Sequence, residues 1–495
     1  MSLRPRFVRP LAALLAAASA LAGCAVGPDY QPPHSVAATA PTGFVNASAD
    51  AVNTAPLPDG WWRLFADPVL DRLVPAAIAH NTDVREAAAN LAEARALLSE
   101  ARSLRLPSTT AQASATRNRV STRTGSTGGV LPGGPNVTLP DTITSNFYSV
   151  GFDANYEIDL FGGVSRSIEA ALANRESAAA TLDAVRSAVA AETARSYALA
   201  CGYAARVEVA AETVRLQERT LDLTRRLLQG GSGTQREVDQ ATVLAEQARA
   251  QLPALDAERR AALASLAVLT GAPPAEVDAA AVACSTPPRV AGLLPVGDGA
   301  ALLARRADVR SAERQLAAAT ARIGIATADL YPRISFLGSA ALGSTGLSNL
   351  SDAGSFTYSL GPLISWSFPN LSAARARVRQ AEAQEQATLA RFDGVVLTAL
   401  QEVESALARY KGALDANAAL TRAEAASSNA ARLSRLRFDA GSDSFLQLID
   451  AERDRANARS ALAQSNAEVA EAQVSLFKAL GGGWENAPEP TRRAP

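Results

Sequence analysis

The chain has 495 residues, 48 of them basic and 49 acidic, with a formal net charge of −1. Without a basic excess it carries no electrostatic footprint for nucleic acid. Hydrophobic residues make up 48 % but aromatic ones only 5 %, so much of the apolar content is alanine, which favours long helices with small contact residues over a bulky globular core.

Arg4, Arg6 and Arg9 precede an apolar run from Leu11 to Leu21, and Leu21-Ala22-Gly23-Cys24 follows. The run is much shorter than the roughly 20 residues of a spanning helix, so residues 1–23 read as a removable signal peptide. A cysteine at this point resembles a bacterial lipobox, which implies lipidation of Cys24 and, with Ala25 behind it, outer-membrane sorting. Two or more acyl chains make a stable anchor. An ordinary signal peptide with a chance cysteine is the alternative. Residues 24–66 then form a lipid-anchored extended segment. Beyond Cys24, Cys201 falls in a helical stretch and Cys284 in a Pro-rich linker. One bridge would be an odd framework for so large a chain, so both read as structural and unpaired. No later stretch offers 18 or more strongly apolar residues in a row, so a mature chain that crosses a bilayer must do so as strands.

The chain repeats itself. Asp83-Val84-Arg85 pairs with Asp308-Val309-Arg310 and Pro107 with Pro332 at one offset, 225; Tyr148 pairs with Tyr358, Gly231 with Gly441 and Gly271 with Gly481 at another, 210. The 15-residue difference places an insertion between Pro107 and Tyr148, where a Gly/Ser/Thr/Pro stretch has the composition of an exposed loop. Residues 67–270 are the first copy and 301–482 the second, each reading helix, strand, loop, strand, very long helix, tight turn, helix. A Pro-rich linker occupies 271–300 and a tail 483–495.

In both copies a strand pair follows the first helix. Tyr148, Val150, Phe152, Ala154, Tyr156, Ile158 and Leu160 alternate without error with Ser149, Gly151, Asp153, Asn155, Glu157 and Asp159. Phe356 to Phe368 repeats the alternation, broken by Leu363 on the polar face, and weaker segments at Ser108–Arg117 and Ile334–Leu342 bring the count to four. Alternation alone suits a soluble sandwich as well as a membrane strand. The signal, the lack of a spanning helix and the small number of strands favour the membrane. Four strands cannot close a barrel, since barrels begin at about eight, so several chains must pool them; three would supply twelve.

The long helices read as about 165–229 and 372–439, each roughly 100 Å at 1.5 Å per residue. Val207, Val214, Leu221 and Leu228 recur every seven residues, as do Val209, Leu216 and Leu223 on nearly the opposite side. Such a helix suits a ring of helices with a neighbour on each side, or a buried bundle position. Leu462, Val469 and Leu476 keep the beat in the second return helix, whereas Pro253 is expected to kink or end the first. Both hairpin tips carry capping-box patterns behind glycine: Gly231 with Thr234 and Glu237, Gly441 with Ser444 and Gln447.

"CAVGPDYQPP", "WWRLFADPVLDRLV", "DVRSAERQLAAATARIGIATADLYPRIS" and "LFKALGGGW" resemble the TolC-like outer-membrane factor family of tripartite efflux systems, in its OprM/NodT-type lipoprotein branch. The resemblance covers essentially the whole mature chain. Ala307 departs from the usual proline before Asp-Val-Arg, a local change only. The resemblance implies an α+β membrane protein, four transmembrane β-strands and very long coiled-coil helices per chain, in a homotrimer with a 12-stranded β-barrel and a 12-helix α-barrel. Its implied partners are outer-membrane lipid, a periplasmic adaptor protein and an inner-membrane transporter of the RND type. The implied role is a passive exit duct for drugs and similar cargo. Type I secretion through the same duct, and a non-conducting helical scaffold, are the alternatives.

No catalytic constellation is legible: His34 and His80 are isolated, and no Cys/His or carboxylate cluster has metal spacing, so neither enzyme activity, cofactor nor metal is expected. The expected sites line a passage. By resemblance Leu446 narrows the periplasmic mouth, Asp450 is the constriction aspartate and Arg453 helps hold the closed state. Their spacing of three and four puts them on one helical face. Three copies of Asp450 around an axis would attract cations. Gln447 stands where some relatives have a second aspartate, or caps the helix instead. Asp153, Asn155, Glu157 and Asp159 are expected to face the barrel lumen or its lower rim, because lipid exposure of them would be costly.

Overall fold

The structure, a computed structural model, describes residues 25–33, 43–121 and 142–484. In chain order these form β1 (Val52–Asn53), α1 (Leu70–His80), α2 (Thr82–Ser103), β2 (Ser108–Ser121), β3 (Thr142–Ile158), α3 (Gly163–Gln229), α4 (Gln235–Leu269) and the short α5 (Ala279–Val282). Then come β4 (Leu294–Pro295), α6 (Gly299–Arg305), α7 (Ala307–Ala328), β5 (Arg333–Ser344), β6 (Phe356–Ser365), α8 (Ser372–Asp439) and α9 (Phe445–Leu480). The duplicated plan is visible in the matched lengths: α2 and α7 have 22 residues each, α3 and α8 67 and 68, α4 and α9 35 and 36.

Compactness does not divide the chain by repeat: the strands of both copies, with the adjoining ends of four helices, fall in one unit. One unit takes the residues up to Gln31, Arg95–Asn174 and Leu316–Ala387; the other takes the rest. The first unit holds an antiparallel four-stranded sheet in the order β2-β3-β5-β6, so strands of both copies pair through β3 and β5. All four are longer or shorter than the alternation alone suggested. β2 and β3 extend to Ser121 and back to Thr142 around the loop, while β6 stops at Ser365.

In the first unit the chain following Cys24 is seated at the junction of β3 and α3. The Val26 N–H donates to the Phe161 carbonyl at 3.2 Å, and the guanidinium of Arg166, itself buried, reaches the carbonyls of Val26 and Gly27 and the carboxylates of Asp29 and Glu169. Close approach demands glycine here: a Cβ on Gly162 would stand 2.7 Å from the Ala25 Cα. Tyr30 continues the seat, packed on Ala173, Ala317 and Ala318.

The second unit is helical, with β1 and β4 as a two-residue parallel pair. Its main core joins Trp61, Phe65, Leu70, Val74, Ile78, Tyr197, Leu407, Phe477 and Leu480, with Trp61 stacked on Phe477 at 5.1 Å. The small-residue helices pack closely, as expected of alanine-rich faces: a Cβ on Gly202 would meet that of Ala467 at 2.7 Å.

In this unit one expectation is corrected and another is narrowed. Cys201 and Cys284 are not free but joined in a disulfide, with Cα atoms 5.1 Å apart. The folded linker after α5 returns across α3 and brings the pair within bonding reach, which spacing in the sequence does not reveal. Pro253 does not end its helix: α4 runs through it from Gln235 to Leu269. Proline removes one intrahelical hydrogen bond, and the packed faces on either side, Ala241 to Ala248 and Leu263 to Ala267, outweigh that loss.

Candidate pore strands and hairpin-tip gate

The register assigns every strand residue to one of two faces, because directly paired residues point the same way. On one face lie Tyr148, Val150, Phe152, Ala154, Tyr156 and Ile158 of β3, with Ala111, Ala113 and Ala115 of β2, Ile334, Phe336 and Leu342 of β5, and Phe356, Tyr358, Leu360 and Ile364 of β6. On the other face the polar groups bond across strands: Gln112 donates to Asp153 at 2.8 Å, Ser114 and Ser149 are 2.8 Å apart, and Ser339 and Ser359 are 2.9 Å apart. Asn155 and Glu157 share this face, as do Leu337 and Leu363, so its lining is polar but not uniformly so.

Asp159 does not join that lining. β3 ends at Ile158, and the Asp159 carboxylate turns to the start of α3, accepting from the Val164 N–H at 2.9 Å and the Ser165 N–H at 2.7 Å. The first turn of a helix has unsatisfied donors, and a carboxylate there is favoured by both hydrogen bonding and the helix dipole. Of the two expected places, strand face or lower rim, the helix start takes Asp159 off the strand face and leaves it at the strand's lower end. Aromatic rings gather at the same end of the sheet: Phe161 stacks on Tyr331 at 4.6 Å, Trp366 on Phe368 at 4.6 Å, and the Trp366 indole donates to the Leu330 carbonyl.

Both hairpin tips are closed by reciprocal capping. Thr234 accepts from the Glu237 N–H while Glu237 accepts from the Thr234 N–H; Ser444 and Gln447 do the same. Gly231 and Gly441 have φ of +72° and +73°, the left-handed turn that stops each long helix. Gln447 is therefore engaged in its cap.

On α9, Phe445 and Ile449 pack on Leu221, Val238 and Ala241. That buries one side of the helix start and leaves Leu446, Asp450 and Arg453 on the other. Leu446 is 57 % exposed, and Asp450 pairs with Arg453 at 3.0 Å within the same helix. Beside them lies a group that sequence reasoning passed over. Glu452 is buried between Arg455 at 2.9 Å and Arg435 of α8 at 3.3 Å, and Arg437 holds Asp443 at 2.7 Å. The Glu452/Arg455 spacing of three was legible, but the partner from α8 was not. Cys24 and His34 lie outside the described residues.

The family model described as "Outer membrane efflux protein" matches residues 73–272 and 300–482, which are the two copies of the repeat. The chain belongs to the outer membrane efflux protein family. As such it resides in the outer membrane and serves efflux. It is 31 % identical over 484 residues to the probable efflux pump outer membrane protein TtgC of Pseudomonas putida, covering 96 % of both chains. It is 33 % identical over 473 residues to the solvent efflux pump outer membrane protein SrpC of the same species, covering 94 % of this chain and 96 % of that protein. Among solved structures the outer-membrane channel OprN superposes with a TM-score of 0.84 at 34 % identity, over 93 % of this chain and all of that one. The open-state MtrE outer membrane channel of Neisseria gonorrhoeae gives 0.78 at 29 %, over 95 % of this chain and all of that one. No helix among the described residues is long and apolar enough to cross a membrane.

Proposed function

We propose that this outer membrane efflux protein works as one third of a trimeric exit duct. The observation that carries this reading is the four-stranded sheet: one face apolar and exposed, the other polar, and β2 and β6 each paired on one side only among the described residues. Open edges do not survive in hydrocarbon, so the edges pair with those of other copies. Three copies give twelve strands and a water-filled lumen lined by Asp153, Asn155 and Glu157. The long helices continue the passage into the periplasm, where the hairpin tips meet an adaptor protein and, through it, an RND-type inner-membrane transporter. Cys24 carries the lipid anchor; the seat of Ala25 to Asp29 beside the strand ends supports that placement.

The duct is passive, catalyses nothing and uses no cofactor. Its gate lies at the start of α9, where Leu446, Asp450 and Arg453 form an exposed face with one ion pair and one apolar side chain. Cargo is selected upstream; pumps for solvents and antibiotics among the relatives support small amphiphilic molecules as the class that passes. The test is assembly and conduction: the purified lipoprotein should run as a trimer resistant to sodium dodecyl sulfate and give step conductance in planar bilayers. Dispersed monomers without conductance would overturn the duct.

A further inference from the structure

The apolar face of the sheet has a measurable height. Tyr148 to Ile158 spans about 34 Å at about 3.4 Å per residue, and a tilt of about 40° leaves about 26 Å, the height of an outer-membrane apolar band. The four α-helices continuous with these strands, α2, α3, α7 and α8, all join the sheet at the Ile158 end, so on the duct reading the Tyr148 end faces outward from the cell. β2 and β3 do not stop at Tyr148 but run on to Ser121 and Thr142. Over this extension the faces exchange character. Val120, Ile143 and Phe147 now lie on the lumen side, with Phe147 laid over Gly343, whereas the outward side carries Arg117, Arg119, Asn146 and Thr144. Arg117 stands opposite Asn146, one step beyond the Ala115/Tyr148 pair, and Arg119 opposite Thr144, with a 3.4 Å hydrogen bond to Thr142 Oγ1. Both arginines are exposed, and among the described strand residues they are the only charges on the outward face; no carboxylate shares it.

We infer that Arg117 and Arg119 form a binding site for the phosphate-bearing headgroup of the glycolipid, lipopolysaccharide, that makes up the outer leaflet. Two exposed guanidinium groups, neither in an ion pair among the described residues, stand on one strand edge a few ångströms above the end of an apolar band, at the level of those phosphates. Arginine suits them because its planar fork can donate two parallel hydrogen bonds to one phosphate while its stem stays along the acyl chains. The upper aromatic rings, Tyr148 and the Phe356/Tyr358 pair, would lie beside the headgroup's acyl chains, as interfacial aromatics do. With three copies the barrel would carry three such sites. The inference rests on the barrel reading, and the experiment separates the two.

Native mass spectrometry of the intact lipoprotein, loaded with diphosphorylated lipid A, is expected to show lipid A retained on the trimer. Arg117→Gln with Arg119→Gln should weaken retention roughly tenfold to thirtyfold, with the trimer and its conductance unchanged; Arg→Lys at both should restore part of it. On the unaltered protein, dephosphorylated lipid A should be retained as poorly as diphosphorylated lipid A is by the Gln variant. Equal retention of both lipids, or equal competition by phosphatidylglycerol vesicles, would overturn the site. Loss of the trimer in the unaltered protein would instead overturn the barrel.

Discussion

Gly27 lies directly on Gly324: a Cβ on Gly27 would stand 2.5 Å from the Gly324 Cα, and Gly27 itself has φ of +91°. The segment that follows Cys24 is thus a fitted part of the strand unit. Gly27→Ala adds a left-handed non-glycine residue and a backbone clash, expected to cost about 1 to 3 kcal/mol and to lift Ala25 to Asp29 off the sheet end. Hydrogen exchange at the Val26 amide should accelerate and the melting temperature fall; no change in either would refute the fitted seat.

The Cys201–Cys284 bridge predicts that neither thiol alkylates in the unreduced protein and that both do after denaturation and reduction. The two cysteines are 83 residues apart, and closing a loop of that size restricts the unfolded chain by at most about 4.5 kcal/mol. Cys201→Ala with Cys284→Ala should therefore lower stability measurably, and two free thiols in protein isolated from the periplasmic side would contradict the bridge.

Asp450→Ala with Arg453→Ala is expected to raise single-channel conductance and antibiotic leakage. The pair lies within one helix and is about half exposed, so its loss costs no more than about 1 kcal/mol per protomer in stability. Unchanged conductance in an assembled trimer would remove the pair from the gate. Glu452→Gln tests the neighbouring cluster separately: it strips a buried carboxylate from two arginines and should destabilise the tip itself.

Ser444→Ala and Thr234→Ala each remove one half of a reciprocal cap and should cost about 1 kcal/mol. Chemical denaturation of the trimer checks both. A null result at either would mean that packing of Phe445 and Val238 alone holds the helix start.

Asp308 offers a pH dependence. Burial by itself would raise its carboxyl, but hydrogen bonds and charge from Arg306 outweigh burial and hold it below the ordinary value. Its stabilising contribution is therefore full above the unfolded pKa of about 3.9 and disappears as the pH falls through the lower folded value. Asp308→Asn should melt lower than the parent at about pH 7 and approach it at about pH 2. A gap independent of pH would assign the loss to packing. Arg306 also reaches Glu402 at 2.7 Å and the Ala479 carbonyl at 2.9 Å, so it ties the start of α7 to the end of α9.

The periodic parts of the molecule were legible in advance. The long helices α3 and α8 lie within two residues of their expected starts, because alanine-rich runs without proline and with only isolated glycines favour helix over any local alternative. The four strands followed from alternation, and both tips from capping residues beside glycine. The miss at the two cysteines, and the alternatives left open at Asp159 and Pro253, share a cause: each residue is judged from its neighbours in sequence, whereas what decides it is a donor, a packed face or a thiol supplied elsewhere.

By itself the sequence determined the duplicated plan, the helix lengths, the two-faced strands and the family, since each depends on a local pattern repeated twice. Only the tertiary structure decided that β3 and β5 join the copies, that Cys201 meets Cys284, that Arg166 holds the segment from Val26 to Asp29, and that Arg117 and Arg119 share the apolar face of the sheet beyond its last aromatic residue. Each of these is a pairing between distant residues, and a pairing is fixed by register and packing, which no single stretch of chain contains.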